Sequence, residues 1–115
     1  MNNLASIVIV SHSEQIAEGI KEMIEQISDE ITVELAGGTT SGGIGTSLDK
    51  ITHAIKNAAS PKGVVVFYDI GSSKMNAELA LELNDYHDVE IIDAPLVEGA
   101  YVADVKASIG KSAQE

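Results

Sequence analysis

Cysteine is absent from the 115 residues, so neither a disulfide nor thiolate-metal chemistry is available. Only two prolines interrupt the chain, and 44% of its residues are hydrophobic, enough apolar material for the core of one ordinary globular domain over residues 1–115. Basic residues are scarce. Seven Lys and Arg stand against eighteen Asp and Glu, a formal net charge of -11. Without a basic patch that balance opposes binding to nucleic acid or to an anionic membrane and favours a basic protein partner, while the even scatter of acids over helix faces also serves plain solubility. Long apolar runs are missing too. The first is short, has no positively charged region before it and leads directly into the organised part of the domain, so a soluble cytoplasmic protein is expected. Repeats, linkers and low-complexity segments are likewise missing.

What is present begins with Ile7-Val8-Ile9-Val10, an unbroken apolar run that ends at Ser11-His12-Ser13. A strand that is apolar on both faces belongs inside a parallel sheet covered by helices, because a one-sided sheet needs only alternation. Residues 14–27 then carry Ile16, Ile20, Met23, Ile24 and Ile27 at helical spacing, and Ser11 with Glu14 has the form of a capping box. His12 thus stands where a strand ends and a helix opens. The amide donors and partial positive charge of a helix N-terminus attract anions there.

Thr32 to Ala36 alternates as an edge strand would, and a glycine-rich loop from Gly37 to Ser47 follows. Next comes a helix with Leu48, Ile51, Ile55 and Ala58 on its apolar face and Thr46 with Asp49 as a capping pair. Val64 to Tyr68 is a second run that is apolar throughout; it ends at Asp69. Gly71-Ser72-Ser73 opens a third helix with Met75, Leu79 and Leu83 as its inner stripe. Val89 to Ile92 reads as another edge strand, and residues 97–109 make the last helix. Strands alternating with helices imply right-handed parallel crossovers. Two interior and two edge strands give an open, doubly wound α/β sheet of order 2-1-3-4 with helices on both faces, whose switch point lies between strands one and three. His12 and Asp69 meet there.

A nucleophilic imidazole needs one nitrogen held as a donor, and Asp69 can accept from it. A phosphoryl group on His12 carries about two negative charges that require donors, for which the Ser13 amide and the hydroxyls of Thr46, Ser72 and Ser73 are candidates. The same hydroxyls suit helix N-caps equally well. The glycine loop does not continue as a nucleotide-binding loop, since Ile44 and Gly45 stand where Lys and Ser or Thr are required. Gly42, Gly43 and Gly45 are therefore read as a docking or phosphate-shielding loop, with a plain turn as the alternative. His53 falls on the polar side of its helix and His87 in a turn, neither with metal-ligand company. Neither a metal nor a cofactor is expected.

Val10-Ser11-His12-Ser13, Gly37-Gly38-Thr39, Ile44-Gly45-Thr46-Ser47, Asp69-Ile70-Gly71-Ser72, Met75-Asn76-Ala77-Glu78 and Ala94-Pro95-Leu96-Val97-Glu98-Gly99-Ala100 together resemble the DhaM family. These are the phosphoryl-donor subunits of phosphotransferase-dependent dihydroxyacetone kinases. More distantly the chain is similar to the mannose-type IIA domains of the sugar phosphotransferase system, from which Ser13 departs where glycine is usual. The resemblance implies a phosphohistidine carrier. His12 would take a phosphoryl group from HPr, on Nε2, and pass it to ADP bound on the nucleotide-binding kinase subunit, with Asp69 orienting the imidazole. It also implies a homodimer, and a separate donor protein because the HPr-like and enzyme-I-like domains fused to some relatives are not in this chain. The competing readings are a IIA domain of a sugar-uptake system, a receiver-like domain phosphorylated on Asp69, and a regulatory module whose phosphorylation selects partners. The receiver reading lacks an acidic pair after strand one and a lysine after a fifth strand.

Overall fold

The structure is a computed structural model that describes residues 5–26, 31–39, 43, 46–59, 63–69, 71–84, 89–92 and 96–108. Its elements alternate: β1 (Ser6–Ser11), α1 (Glu14–Glu25), β2 (Val33–Gly37), α2 (Leu48–Asn57), β3 (Val64–Tyr68), α3 (Gly71–Asn84), β4 (Val89–Ile92) and α4 (Leu96–Ser108). The four strands form one parallel sheet in the order β2-β1-β3-β4. All six residues of β1 are buried, and so are the first four of β3, as their apolar faces require.

Successive side chains of a strand point to opposite faces, so each strand feeds two cores. On one face Ile7, Ile9, Val33, Val65 and Phe67 pack with Ala17, Ile20 and Ile24 of α1 and Ala100 of α4. On the other, Val8, Val10, Ala36, Val64 and Val66 pack with Ile51, Ala54 and Ile55 of α2 and Ala77 and Ala80 of α3. The helices that follow the two central strands therefore leave on opposite faces. That divergence opens the crevice at the carboxyl ends of β1 and β3.

Two helices turn differently from the sequence expectation. Met75 and Leu79 of α3 are 69% and 40% exposed, whereas Ala77 and Ala80 are fully buried. Small alanines on α3 and on the facing α2 (Ala54, Ala58) let the two helices approach closely, and ranking the stripe by side-chain size missed this. Similarly α1 buries Ala17 with Ile20 and Ile24, and leaves Ile16 and Met23 exposed. The Leu48, Ile51, Ile55 and Ala58 face of α2 packs inward as expected. Helix α4 starts at Leu96, one residue early; Ile27 and Ile109, expected as the last residues of the first and last helices, lie outside the described residues. No helix among the described residues is long and apolar enough to cross a membrane.

Asp104 of α4 is completely buried, and among the described residues neither carboxylate oxygen has a hydrogen-bond partner. Burial first, and the negative charge of Glu25 on α1 second, raise its pKa from 3.8 to about 6. A carboxyl whose folded pKa lies above its unfolded one favours the native state when protonated. The native state then binds more protons at this group between pH 4 and 6, so its contribution to stability is greatest below that window, falls across it and stays low above it. A shift of this size corresponds to about 3 kcal/mol at neutral pH. Asp104→Asn is expected to unfold at higher urea concentration than wild type at pH 7.5, by about 1–2 kcal/mol, and to lose the decline between pH 4 and 6; urea melts at several pH values check both.

Candidate functional site

The register of the sheet builds the site. Ser6 to Val10 of β1 pair with Val64 to Tyr68 of β3, so the next residues along, Ser11 and Asp69, come level. From there Asp69 meets three donors. Its Oδ2 accepts from the Ser11 hydroxyl at 2.8 Å and from the His12 amide at 2.9 Å, and its Oδ1 lies 3.0 Å from His12 Nδ1. The carboxylate can only accept, so Nδ1 carries the ring proton and the nucleophilic lone pair is the one on Nε2. Both side chains are partly buried, with 20% of His12 and 16% of Asp69 exposed. The imidazole is thus held through Nδ1 while a fifth of its surface still meets solvent.

Helix capping is arranged differently from the sequence reading. Ser11 does not cap α1; its hydroxyl is turned to Asp69 and accepts the Ser13 amide at 3.1 Å. Ser13 is the N-cap, accepting the Ile16 amide on its hydroxyl at 3.3 Å. The Ser13 amide, proposed from sequence as a phosphoryl donor, is engaged by the Ser11 hydroxyl, and the Ser13 hydroxyl is engaged by the cap. On α2 the cap is Ser47, which accepts from the Lys50 amide, and the Thr46 hydroxyl instead accepts from the Asn76 side chain of α3. Thr46 is thereby tied to the helix that begins two residues after Asp69. Ser72 and Ser73 fall in the first turn of that helix, with side chains outside the described residues.

Glycine is required where β2 ends. A Cβ on Gly37 would stand 2.7 Å from Glu14 Cα and 3.0 Å from both Ala17 Cβ and Ser13 O, so the start of α1 lies directly against the strand backbone. Gly38 follows with φ +70°, and its amide donates to the Ser11 carbonyl at 3.0 Å. The Lys50 ammonium donates to the Gly37 carbonyl at 2.9 Å. Beyond this the loop folds back on itself, because the Thr39 amide donates to Gly43 O and the Gly43 amide donates to the Thr39 hydroxyl, each at 3.0 Å. Gly43 is exposed; Gly42 and Gly45 lie outside the described residues.

His53 is exposed on α2 and lines a groove at the outer edge of β2 with Glu14, Glu18, Leu35, Gly37, Asp49 and Lys50, while His87 lies outside the described residues. Among the described residues no three His, Asp or Glu side chains are grouped so as to hold a metal ion. Three functional contributors escaped the sequence reading: Ser11 as a partner of Asp69, Asn76 as a partner of Thr46, and Lys50 at the Gly37 carbonyl. For Ser11 a signal existed, since the strand register alone brings it level with Asp69.

The profile of the PTS system fructose IIA component matches residues 6–115. A "PEP-dependent dihydroxyacetone kinase 2, phosphoryl donor subunit DhaM" from Listeria innocua is 43% identical over 113 residues, covering 95% of this chain and 90% of its own. The "PTS-dependent dihydroxyacetone kinase, phosphotransferase subunit DhaM" of Lactococcus lactis is 39% identical, covering 90% and 83%. Among solved structures, the unknown-function protein EF1359 superposes with a TM-score of 0.82 at 40% identity, over 92% of this chain and 84% of that one.

The tight contact at Gly37 has a measurable consequence for the site. Gly37→Ala must push the first turn of α1 away from β2, at about 1–3 kcal/mol. A lower urea midpoint and shifted amide resonances at Ser13 and Glu14 are expected, with far-UV circular dichroism of a folded protein retained.

Proposed function

The chain belongs to the family of fructose IIA components of the phosphotransferase system, and from that premise we propose that it serves as the phosphoryl donor subunit of a dihydroxyacetone kinase, working as a phosphohistidine carrier. The observation that carries this reading is the hydrogen bond between His12 Nδ1 and Asp69 Oδ1 at the end of the two central strands. It supports nucleophilic attack by Nε2 on the phosphorus of a phosphohistidine presented by HPr. The N–P bond to Nε2 forms as the donor's N–P bond breaks, and the displaced donor nitrogen keeps its lone pair. In the second half-reaction a terminal β-phosphate oxygen of ADP, held on the nucleotide-binding kinase subunit, attacks the same phosphorus and Nε2 leaves with its electrons. Asp69 keeps the proton on Nδ1 through both steps and stabilises the positive charge that builds on the ring.

Electrostatics favour the loaded state. The N-termini of α1 and α3 begin two residues after His12 and Asp69, respectively, and their partial positive charges oppose the two negative charges that the phosphoryl group brings. Thr46, Ser72 and Ser73 are the hydroxyls assigned to that group, with the Ser13 loop shaping its near side. The loop of Gly42, Gly43 and Gly45 is assigned to docking, where small residues let two protein surfaces close and exclude water. Exposed Ile16 and Met75, one turn into the helices that flank the site, extend that docking face with apolar surface. In this reading the protein is a cytoplasmic homodimer that needs no metal or cofactor.

Labelling with enzyme I, HPr and phosphoenolpyruvate tests the assignment. Wild type is expected to take up one acid-labile, base-stable phosphoryl group, and His12→Ala none; base-labile label, as an acyl phosphate on Asp69 would give, supports the receiver reading instead. Asp69→Asn removes the charged acceptor and is expected to fold normally while transferring at least tenfold more slowly, measured by rapid quench. Label that moves to His53 or His87, or wild-type rates in Asp69→Asn, removes the corresponding residue from the site.

A further inference from the structure

Ser11 is completely buried at the end of β1, and its hydroxyl lies between two groups whose hydrogen-bonding roles are fixed by their chemistry. The Ser13 amide can only donate, and reaches Oγ at 3.1 Å. The Asp69 carboxylate accepts, with Oδ2 2.8 Å from Oγ. The rotor is therefore set, with a lone pair toward Ser13 and the proton toward Asp69. A second donor, the His12 amide, reaches the same oxygen at 2.9 Å. With Oδ2 held by a side-chain hydroxyl and a backbone amide, the other oxygen of the same carboxylate, Oδ1, meets His12 Nδ1, 3.0 Å away. Without the hydroxyl, Oδ2 loses one of the donors that hold it, and the Ser13 amide loses its acceptor.

We propose that Ser11 is a positioning residue for the histidine chemistry: through Asp69 it holds the imidazole in the tautomer with its proton on Nδ1 and its lone pair on Nε2. The inference rests on His12 being the phosphoryl-accepting residue. Ser11 acts through the carboxylate that meets the ring. Because it also ties the N-cap of α1, Ser13, to Asp69 just after β3, one hydroxyl couples the orientation of the nucleophile to the geometry of the helix N-terminus beside it. Hydrogen bonds to a charged group carry enough energy for its loss to be felt as roughly a 10- to 100-fold change in rate.

Two readouts on the same samples test this. Long-range proton–nitrogen correlation spectra of uniformly labelled protein at alkaline pH report the tautomer of each imidazole, and rapid-quench transfer from phosphorylated HPr reports the rate. Wild-type His12 is expected as the Nδ1-protonated form. In Ser11→Ala its nitrogen shifts should move toward a mixture of the two tautomers, and transfer should fall about 10- to 100-fold, while the His53 resonances and the circular dichroism spectrum stay as in wild type. If Ser11→Ala does not fold, Ser11→Cys, close in shape but a weak donor, carries the same expectation. A folded Ala or Cys variant with the wild-type tautomer and rate overturns the proposal. Should wild-type His12 fail to take label, the carrier reading falls, and the tautomer spectra still decide whether Ser11 orients the ring through Asp69.

Discussion

The carboxylate of Asp69 is the constraint on which the site depends. It gathers a hydroxyl, a backbone amide and an imidazole from three places on one short stretch, Ser11 and His12, although it comes from a strand 57 residues further along. Such a carboxylate is well served, since its partners replace the water it gave up, and in return it holds the imidazole of His12 at the switch point. The pairing of β1 with β3 makes this possible. Parallel strands in register deliver their carboxyl ends side by side, and the helices that follow depart to opposite faces, leaving the ends uncovered.

Small residues set the distances around that crevice. Gly37 lets the start of α1 lie against the end of β2, and this brings the N-cap Ser13 and its helix terminus down beside His12. Alanines on α2 and α3 do the same on the opposite face, drawing α3 close enough to α2 for Asn76 to reach Thr46. Close packing by small side chains has a second effect. It turns Met75 and Leu79 outward, so α3 presents apolar surface in a chain of formal net charge -11. An apolar flank within a negative field suits a partner that brings hydrophobic surface with a basic rim.

Two aspartates of this fold show opposite solutions to burial. Asp69 sits partly exposed with three donors and contributes to order at the site. Asp104 is fully enclosed on α4, with no donor among the described residues and with Glu25 adding repulsion, so its ionised form costs stability. The difference comes from location. At the end of a parallel sheet, loop amides and hydroxyls are available as donors, whereas the side of α4 that carries Asp104 offers it none among the described residues.

Much of the fold was legible in the chain because its determinants are local or periodic. Two runs apolar on both faces, Ile7 to Val10 and Val64 to Tyr68, announce interior strands; two alternating runs announce edges; and parallel crossovers then admit the order 2-1-3-4 with His12 and Asp69 at its switch point. Which side of each helix turns inward was less legible. Periodicity gives the stripe only when large residues define it, and in α3 alanines define it, through a close approach that is a property of two helices together. Capping was misplaced for the same kind of reason. Ser11 and Ser13 offer identical hydroxyls two residues apart, and only the tertiary pairing of β1 with β3 puts a carboxylate beside the first, turning it away from the helix and leaving the cap to the second. The chain thus determined which residues meet at the switch point, since hydrophobic pattern and strand order are written along it. The tertiary structure decided which atom of each residue faces which partner, because a hydrogen bond is settled by what arrives at its other end.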